Sequence, residues 1–248
     1  MENPKKYSGK KRLPSDYLVF PLDVPDVKAA RRLVAALKDD VGLFKVGLEL
    51  FVAAGTEVIK LVTDVGPEKL FLDLKFHDIP ATVKGAVASS ASWGATFVTV
   101  HCGGGLSMLQ AAAAAANQVK VLGVTVLTSL DSHDLRDLGL RDELTHPASL
   151  VMHRARLAIK AGCAGVVCSG REVAGVRQEA GPDFITMVPG IRPGWEGGSS
   201  DDQKRIVTPA MAVRDGADYL VVGRPIRSAA DPADAAKRIA EEIATALI

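Results

Sequence analysis

The stretch Leu70-Phe71-Leu72-Asp73-Leu74-Lys75-Phe76-His77-Asp78-Ile79-Pro80 reads as a strand that feeds a helix. Leu70 to Leu74 is apolar on both faces except at Asp73, as expected for a strand covered on both sides in a parallel sheet. Pro80 then opens a helix reaching Ser92, since a proline in the first turn lacks only an N–H that the helix does not use. The same alternation of short apolar runs and longer helical patterns extends in both directions. Upstream, strands are predicted over Tyr17 to Val24 and Leu43 to Gly47, with helices over Val27 to Lys38, capped by Asp26, and Phe51 to Thr63. Downstream strands are Phe97 to His101, Val119 to Leu127, Gly165 to Cys168, Phe184 to Val188 and Tyr219 to Val222. The helices between and after them are Leu106 to Asn117, Asp131 to Leu138, Ala148 to Ala161, Glu172 to Gln178, Thr208 to Arg214 and Ala233 to Leu247.

Repeated βα units in a chain of 248 residues define the α/β class, and their number predicts a single-domain (β/α)8 TIM barrel over residues 15–248. An open doubly wound sheet would carry a glycine-rich dinucleotide fingerprint after an early strand, and none is present. Residues 1–14, with Lys5, Lys6, Lys10, Lys11 and Arg12, read as a flexible basic arm. The longest loop, Pro189 to Arg205, is rich in glycine and serine and predicts a mobile lid.

Composition narrows the partners. Lys and Arg number 30 against 29 Asp and Glu, a formal charge of +1, which argues against nucleic acid or a membrane surface as partner and favours a small molecule recognised locally. No apolar core follows the basic residues at the start, so no secretory signal is expected, and no run approaches the ~18 apolar residues of a membrane span. Cys102, Cys163 and Cys168 have no paired spacing and predict buried free thiols in a reducing cytoplasm. The histidines have no metal-like spacing.

Interior strands of a parallel barrel are apolar, so ionisable residues near their C-terminal ends carry information. Asp23 closes the first strand, Lys45 lies in the second, Asp73 and Lys75 close the third, and Asp78 follows. Asp73 and Lys75 are two residues apart and share a face, which brings carboxylate and ammonium together at the mouth if that face is the interior. A purely structural ion-pair cluster is the competing explanation, but taking several charges out of water costs several kcal/mol per ion, roughly, which stability alone seldom justifies. Metal ligation by Asp23, Asp73 and Asp78 is a further possibility, although the lysines already supply positive charge. Across the mouth, the loops after strands seven and eight read Pro189-Gly190-Ile191-Arg192 and Gly223-Arg224-Pro225. Glycines that admit backbone N–H groups and arginines with planar donor forks are the makings of a phosphate site.

These residues resemble the orotidine 5′-monophosphate decarboxylase family, whose signature D-x-K-x-x-D-I-P is matched from Asp73 to Pro80. Similar segments follow in order: Leu22-Asp23-Val24, Lys45-Val46-Gly47, Leu127-Thr128-Ser129, Pro189 to Pro193, and Gly223 to Ile226, so the likeness runs from Asp16 to the last helix. It implies decarboxylation of orotidine 5′-monophosphate to uridine 5′-monophosphate without metal or other cofactor. It also implies that Lys75 protonates the ring carbon and that Asp73 sits beside the substrate carboxylate. Asp23 and Lys45 would bind the ribose hydroxyls, Thr128 and Ser129 would lie at the pyrimidine, and Pro189, Arg192, Gln203, Gly223 and Arg224 would hold the phosphate. Asp78 would enter the site of a second subunit, making a homodimer. Two other readings compete: a magnesium-dependent phosphosugar decarboxylase or synthase on the same barrel, and a non-catalytic nucleotide-binding module.

Overall fold

The computed structural model describes residues 12–195 and 207–247. Its strands close a barrel in sequence order, β1 (Leu18–Pro21), β2 (Leu43–Gly47), β3 (Leu70–Phe76), β4 (Phe97–His101), β5 (Lys120–Val124), β6 (Gly165–Val167), β7 (Ile185–Val188) and β8 (Tyr219–Val221). Neighbours are parallel throughout and β8 returns to β1, so the predicted TIM barrel is the fold. The helices are α1 (Val27–Leu37), α2 (Leu48–Ala54), α3 (Glu57–Thr63), α4 (Pro80–Ser92), α5 (Gly105–Ala114), α6 (Ser132–Asp137), α7 (Pro147–Ala161), α8 (Val173–Ala180), α9 (Pro209–Arg214), α10 (Arg224–Arg227) and α11 (Pro232–Ala244).

Several boundaries depart from the sequence expectation for local reasons. The helix predicted over Phe51 to Thr63 is broken in two, because Gly55 adopts φ +58, a left-handed conformation that ends α2. The fifth strand ends at Val124 rather than Leu127: the chain leaves the ladder at Thr125, whose hydroxyl donates to the Val167 carbonyl at 2.8 Å. α10, directly after β8, was not anticipated.

Side chains of alternate strand residues divide into two cores. Val19, Leu43, Phe71, Phe97, Leu122, Ile185 and Met187 fill the barrel itself, where Phe71 and Phe97 meet edge to face at 6.0 Å. Full burial of one such ring contributes about 1.5–3 kcal/mol. The intervening positions, among them Leu18, Phe20, Phe44, Leu70 and Leu72, pack outward against the helices. Arg12, assigned by sequence to the basic arm, closes the bottom of the barrel. Its guanidinium lies over the rings of Tyr17 and Tyr219 and donates to the Asp16 and Asp218 carbonyls at 2.9 Å. The three cysteines are buried and unpaired, and burial pushes each thiol up to about 12. Among the described residues, no helix is long and apolar enough to cross a membrane.

Candidate active site

The interior face that carries Phe71 continues two residues on to Asp73, and the one that carries Leu43 continues to Lys45. Charge therefore begins where the apolar plug of the barrel ends. Lys45 Nζ lies 3.1 Å from Asp23 Oδ1 and 3.3 Å from Asp73 Oδ2, and Lys75 Nζ reaches the same Asp73 oxygen at 2.7 Å. The result is an alternating row, Asp23–Lys45–Asp73–Lys75, in which Lys45 and Asp73 are only 9% and 7% exposed. Gly47 makes room for it: a Cβ there would stand 2.9 Å from the Lys45 ammonium and 3.2 Å from Asp23 Oδ1. Burial pushes the Asp73 carboxyl up. The Lys45 and Lys75 charges, with hydrogen bonds from Lys75 and Thr99, outweigh burial and hold it below the ordinary carboxylate range.

Simple alternation does not fully describe how Lys75 arrives there. Between Leu72 and Phe76 the ladder to β4 is irregular, and Lys75 sits at φ +50, a left-handed conformation costing a non-glycine residue roughly 1–3 kcal/mol. A bulge of this kind re-aims a side chain at the rim of a barrel. Asp23, predicted as the last residue but one of the first strand, instead lies beyond it, since β1 ends at Pro21.

A cavity of about 260 Å³ opens over the row, lined by Lys45, Asp73, Lys75, Thr128 and Pro189 among others. A second cavity of about 260 Å³ adjoins it through Pro21, Asp23 and Pro189 and is lined by Arg192, Gly223, Arg224 and Arg227. The loop between β7 and α9 is pinned at its base, where Ile191 bridges Val207 and the Arg192 N–H donates to the Val207 carbonyl at 3.2 Å. Most sequence-predicted residues thus converge. Ser129 is exposed and does not line either cavity, Asp78 is exposed beyond β3, and Gln203 lies outside the described residues.

Sequence reasoning passed over two residues. Thr99, fully buried in β4, donates its hydroxyl to Asp73 Oδ1 at 2.9 Å; its only signal was a lone hydroxyl in an apolar strand. Arg227, on the unanticipated α10, lines the arginine cavity and donates to the Asp23 carbonyl, joining the loop after β1 to the loop after β8.

A closed (β/α)8 barrel whose C-terminal mouth carries a partly buried row of alternating charges has the build of the barrel enzymes, whose chemistry sits on the βα loops at that end. Residues 16–239 match the family model described as orotidine 5′-phosphate decarboxylase / HUMPS family, and the chain belongs to that family. It is 52% identical over 241 residues to the orotidine 5′-phosphate decarboxylase of Desulfosudis oleivorans, spanning 96% of this chain and 97% of the relative. The corresponding protein of Anaeromyxobacter sp. strain K is 49% identical over 92% of this chain and 98% of its own. The crystal structure of orotidine 5′-phosphate decarboxylase from Lactobacillus acidophilus superposes with a TM-score of 0.80 at 35% identity, covering 91% of this chain and 98% of that one.

Proposed function

We propose that this chain decarboxylates orotidine 5′-monophosphate to uridine 5′-monophosphate and carbon dioxide in pyrimidine nucleotide synthesis, with no cofactor. The observation that carries this reading is the Asp23–Lys45–Asp73–Lys75 row at the floor of one cavity, with an arginine-lined cavity at hand for a phosphate. In the reaction the bond between ring carbon and carboxylate breaks, its electron pair stays on the ring carbon, and carbon dioxide leaves. Lys75 then delivers a proton from Nζ to that carbon and regains one from solvent. A carbanion with little resonance help needs fixed, preorganised charge, and an ammonium at Lys75 both stabilises it and quenches it. Asp73 faces the substrate carboxylate, Asp23 and Lys45 take the ribose hydroxyls, and Thr128 flanks the pyrimidine. Pro189, Arg192, Gly223 and Arg224 hold the phosphate, whose binding energy aligns the ring. A cytoplasmic location suits the free buried thiols.

Metal-stripped protein given orotidine 5′-monophosphate is expected to release carbon dioxide at the rate of untreated protein. Activity lost on chelation and restored by magnesium would favour a phosphosugar enzyme of the same family, and absence of turnover by folded protein would overturn the assignment.

The site is completed by a second copy in this reading, with Asp78 of the partner subunit entering each cavity. Asp78 is exposed and absent from the lining of its own cavity, and its neighbour in sequence, the apolar Ile79, is 66% exposed. Inactive Asp78→Ala and inactive Lys75→Ala proteins, mixed and allowed to exchange subunits, should recover up to about a quarter of wild-type activity, since half the dimers then hold one intact site. Verified exchange without recovery would remove Asp78 from the shared site.

A further inference from the structure

The pairing of β3 with β4 holds an asymmetry that the reaction steps above leave unused. Leu72 pairs with Val98 and Phe76 with Val100, so Asp73, Leu74 and Lys75 all stand opposite Thr99. Three residues facing one break the regular exchange of ladder hydrogen bonds. The Thr99 hydroxyl fills the gap twice. It accepts the Lys75 N–H at 2.9 Å and donates to Asp73 Oδ1 at 2.9 Å.

A hydroxyl has a single proton, and here that proton is committed to Asp73 while a lone pair is committed to Lys75. Thr99 is 0% exposed, so water does not compete for either bond. With Oδ1 held by Thr99, the oxygen left to face both ammoniums is Oδ2, 3.3 Å from Lys45 Nζ and 2.7 Å from Lys75 Nζ. The same hydroxyl holds the Lys75 backbone at φ +50, and that backbone sets where the lysine side chain departs from the strand. One buried oxygen therefore joins the carboxylate expected to face the substrate to the amide of the residue expected to supply the proton.

We propose that Thr99 is a positioning residue for the decarboxylation, its hydroxyl fixing the direction of the Asp73 carboxylate and the bulge that carries Lys75. This rests on the function proposed above. A hydroxyl that served only to satisfy the core would affect stability and leave the chemical step alone.

Thr99→Val keeps the shape and removes both hydrogen bonds. It is expected to lower kcat for orotidine 5′-monophosphate about 100-fold, the scale of a small misplacement of reacting groups, while KM stays within about threefold of wild type. The affinity for uridine 5′-monophosphate should be equally little changed. Thr99→Ser, which restores donor and acceptor, should return kcat to within about tenfold of wild type. Because the Thr99 hydrogen bond helps to hold the Asp73 carboxyl low, the acidic limb of the kcat/KM profile should move to higher pH in Thr99→Val and return in Thr99→Ser. Hydrogen exchange at the peptide containing the Lys75 amide should quicken in the valine variant only.

Wild-type kcat in Thr99→Val, or equal impairment of the serine and valine variants, would overturn the assignment while leaving the proposed reaction standing. No turnover by the unmodified chain would instead overturn the reaction. Should Thr99→Val fail to fold, Thr99→Cys, with a weaker donor and acceptor of similar size, is expected to show about tenfold lower kcat with unchanged product affinity, and wild-type kcat there would equally overturn it.

Discussion

Lys75→Ala is expected to lower turnover of orotidine 5′-monophosphate by at least about 10⁴-fold while leaving the affinity for uridine 5′-monophosphate measurable. The reasoning starts from charge. General acid catalysis by a positioned side chain contributes typically ~10²–10⁴-fold, and a fixed charge at a developing anion a further ~10²–10³-fold. Lys75 is placed to supply both, since its Nζ sits 2.7 Å from the carboxylate expected to face the scissile group. The product lacks the carboxylate and the carbanion, so in the proposed reading its affinity rests on ribose and phosphate contacts, which the substitution leaves in place. Alanine at position 75 also removes nothing from the barrel core, because Lys75 is only partly buried at the rim. Single-turnover release of carbon dioxide and equilibrium titration with product are the measurements. Activity within tenfold of wild type would take the acid role away from Lys75.

Asp73→Asn is expected to reduce turnover by roughly 10³-fold or more and to change how stability depends on pH. Two like charges about 4 Å apart at an effective dielectric near 20 repel by about 4 kcal/mol, which is near three powers of ten in rate. Asparagine keeps the shape and an acceptor for Thr99 but abolishes that repulsion and leaves the Lys45 and Lys75 ammoniums without their shared counter-ion. Lys45 retains Asp23 at 3.1 Å, so the loss of stability should be smaller than the ~3–5 kcal/mol of a fully orphaned buried charge. The sign of the pH effect follows from the carboxyl being held below its ordinary value of 3.8. The unfolded chain binds its proton first as pH falls, so the stability contributed by Asp73 is complete above the ordinary value and disappears as pH drops through the lowered folded value. The difference in denaturation free energy between wild type and Asp73→Asn should therefore shrink below that ordinary value, and a difference independent of pH would contradict the ionised, paired state. Repulsion of this size also falls short of the ~8–23 kcal/mol by which enzymes lower barriers, so most of the rate must come from preorganised charge and phosphate binding.

The order of elements was readable because each strand is a short apolar run and each helix has its own start and stop chemistry. β2, β4 and α4 fall where the sequence places them, bounded by Gly47, His101 and Pro80. Asp23, Lys45, Asp73 and Lys75 stood out for an equally physical reason: ionisable groups are costly in barrel strands and need a compensating arrangement. What escaped the sequence depends on pairing between strands. Nothing local in Phe97-Val98-Thr99-Val100-His101 says that Thr99 will face three residues of β3, and nothing in Arg224-Pro225-Ile226-Arg227 says that the last arginine will reach the Asp23 carbonyl.

By itself, then, the sequence determined the α/β class, the barrel, the charged residues of the candidate site and the family likeness, because these follow from composition and spacing along one chain. Tertiary structure alone decided that the charges alternate within 3.3 Å of one another, that Lys75 departs from a left-handed bulge, and that a buried hydroxyl on the next strand holds both. The reason is that distances between side chains on different strands are set by register and closure of the sheet, which no single stretch of residues encodes.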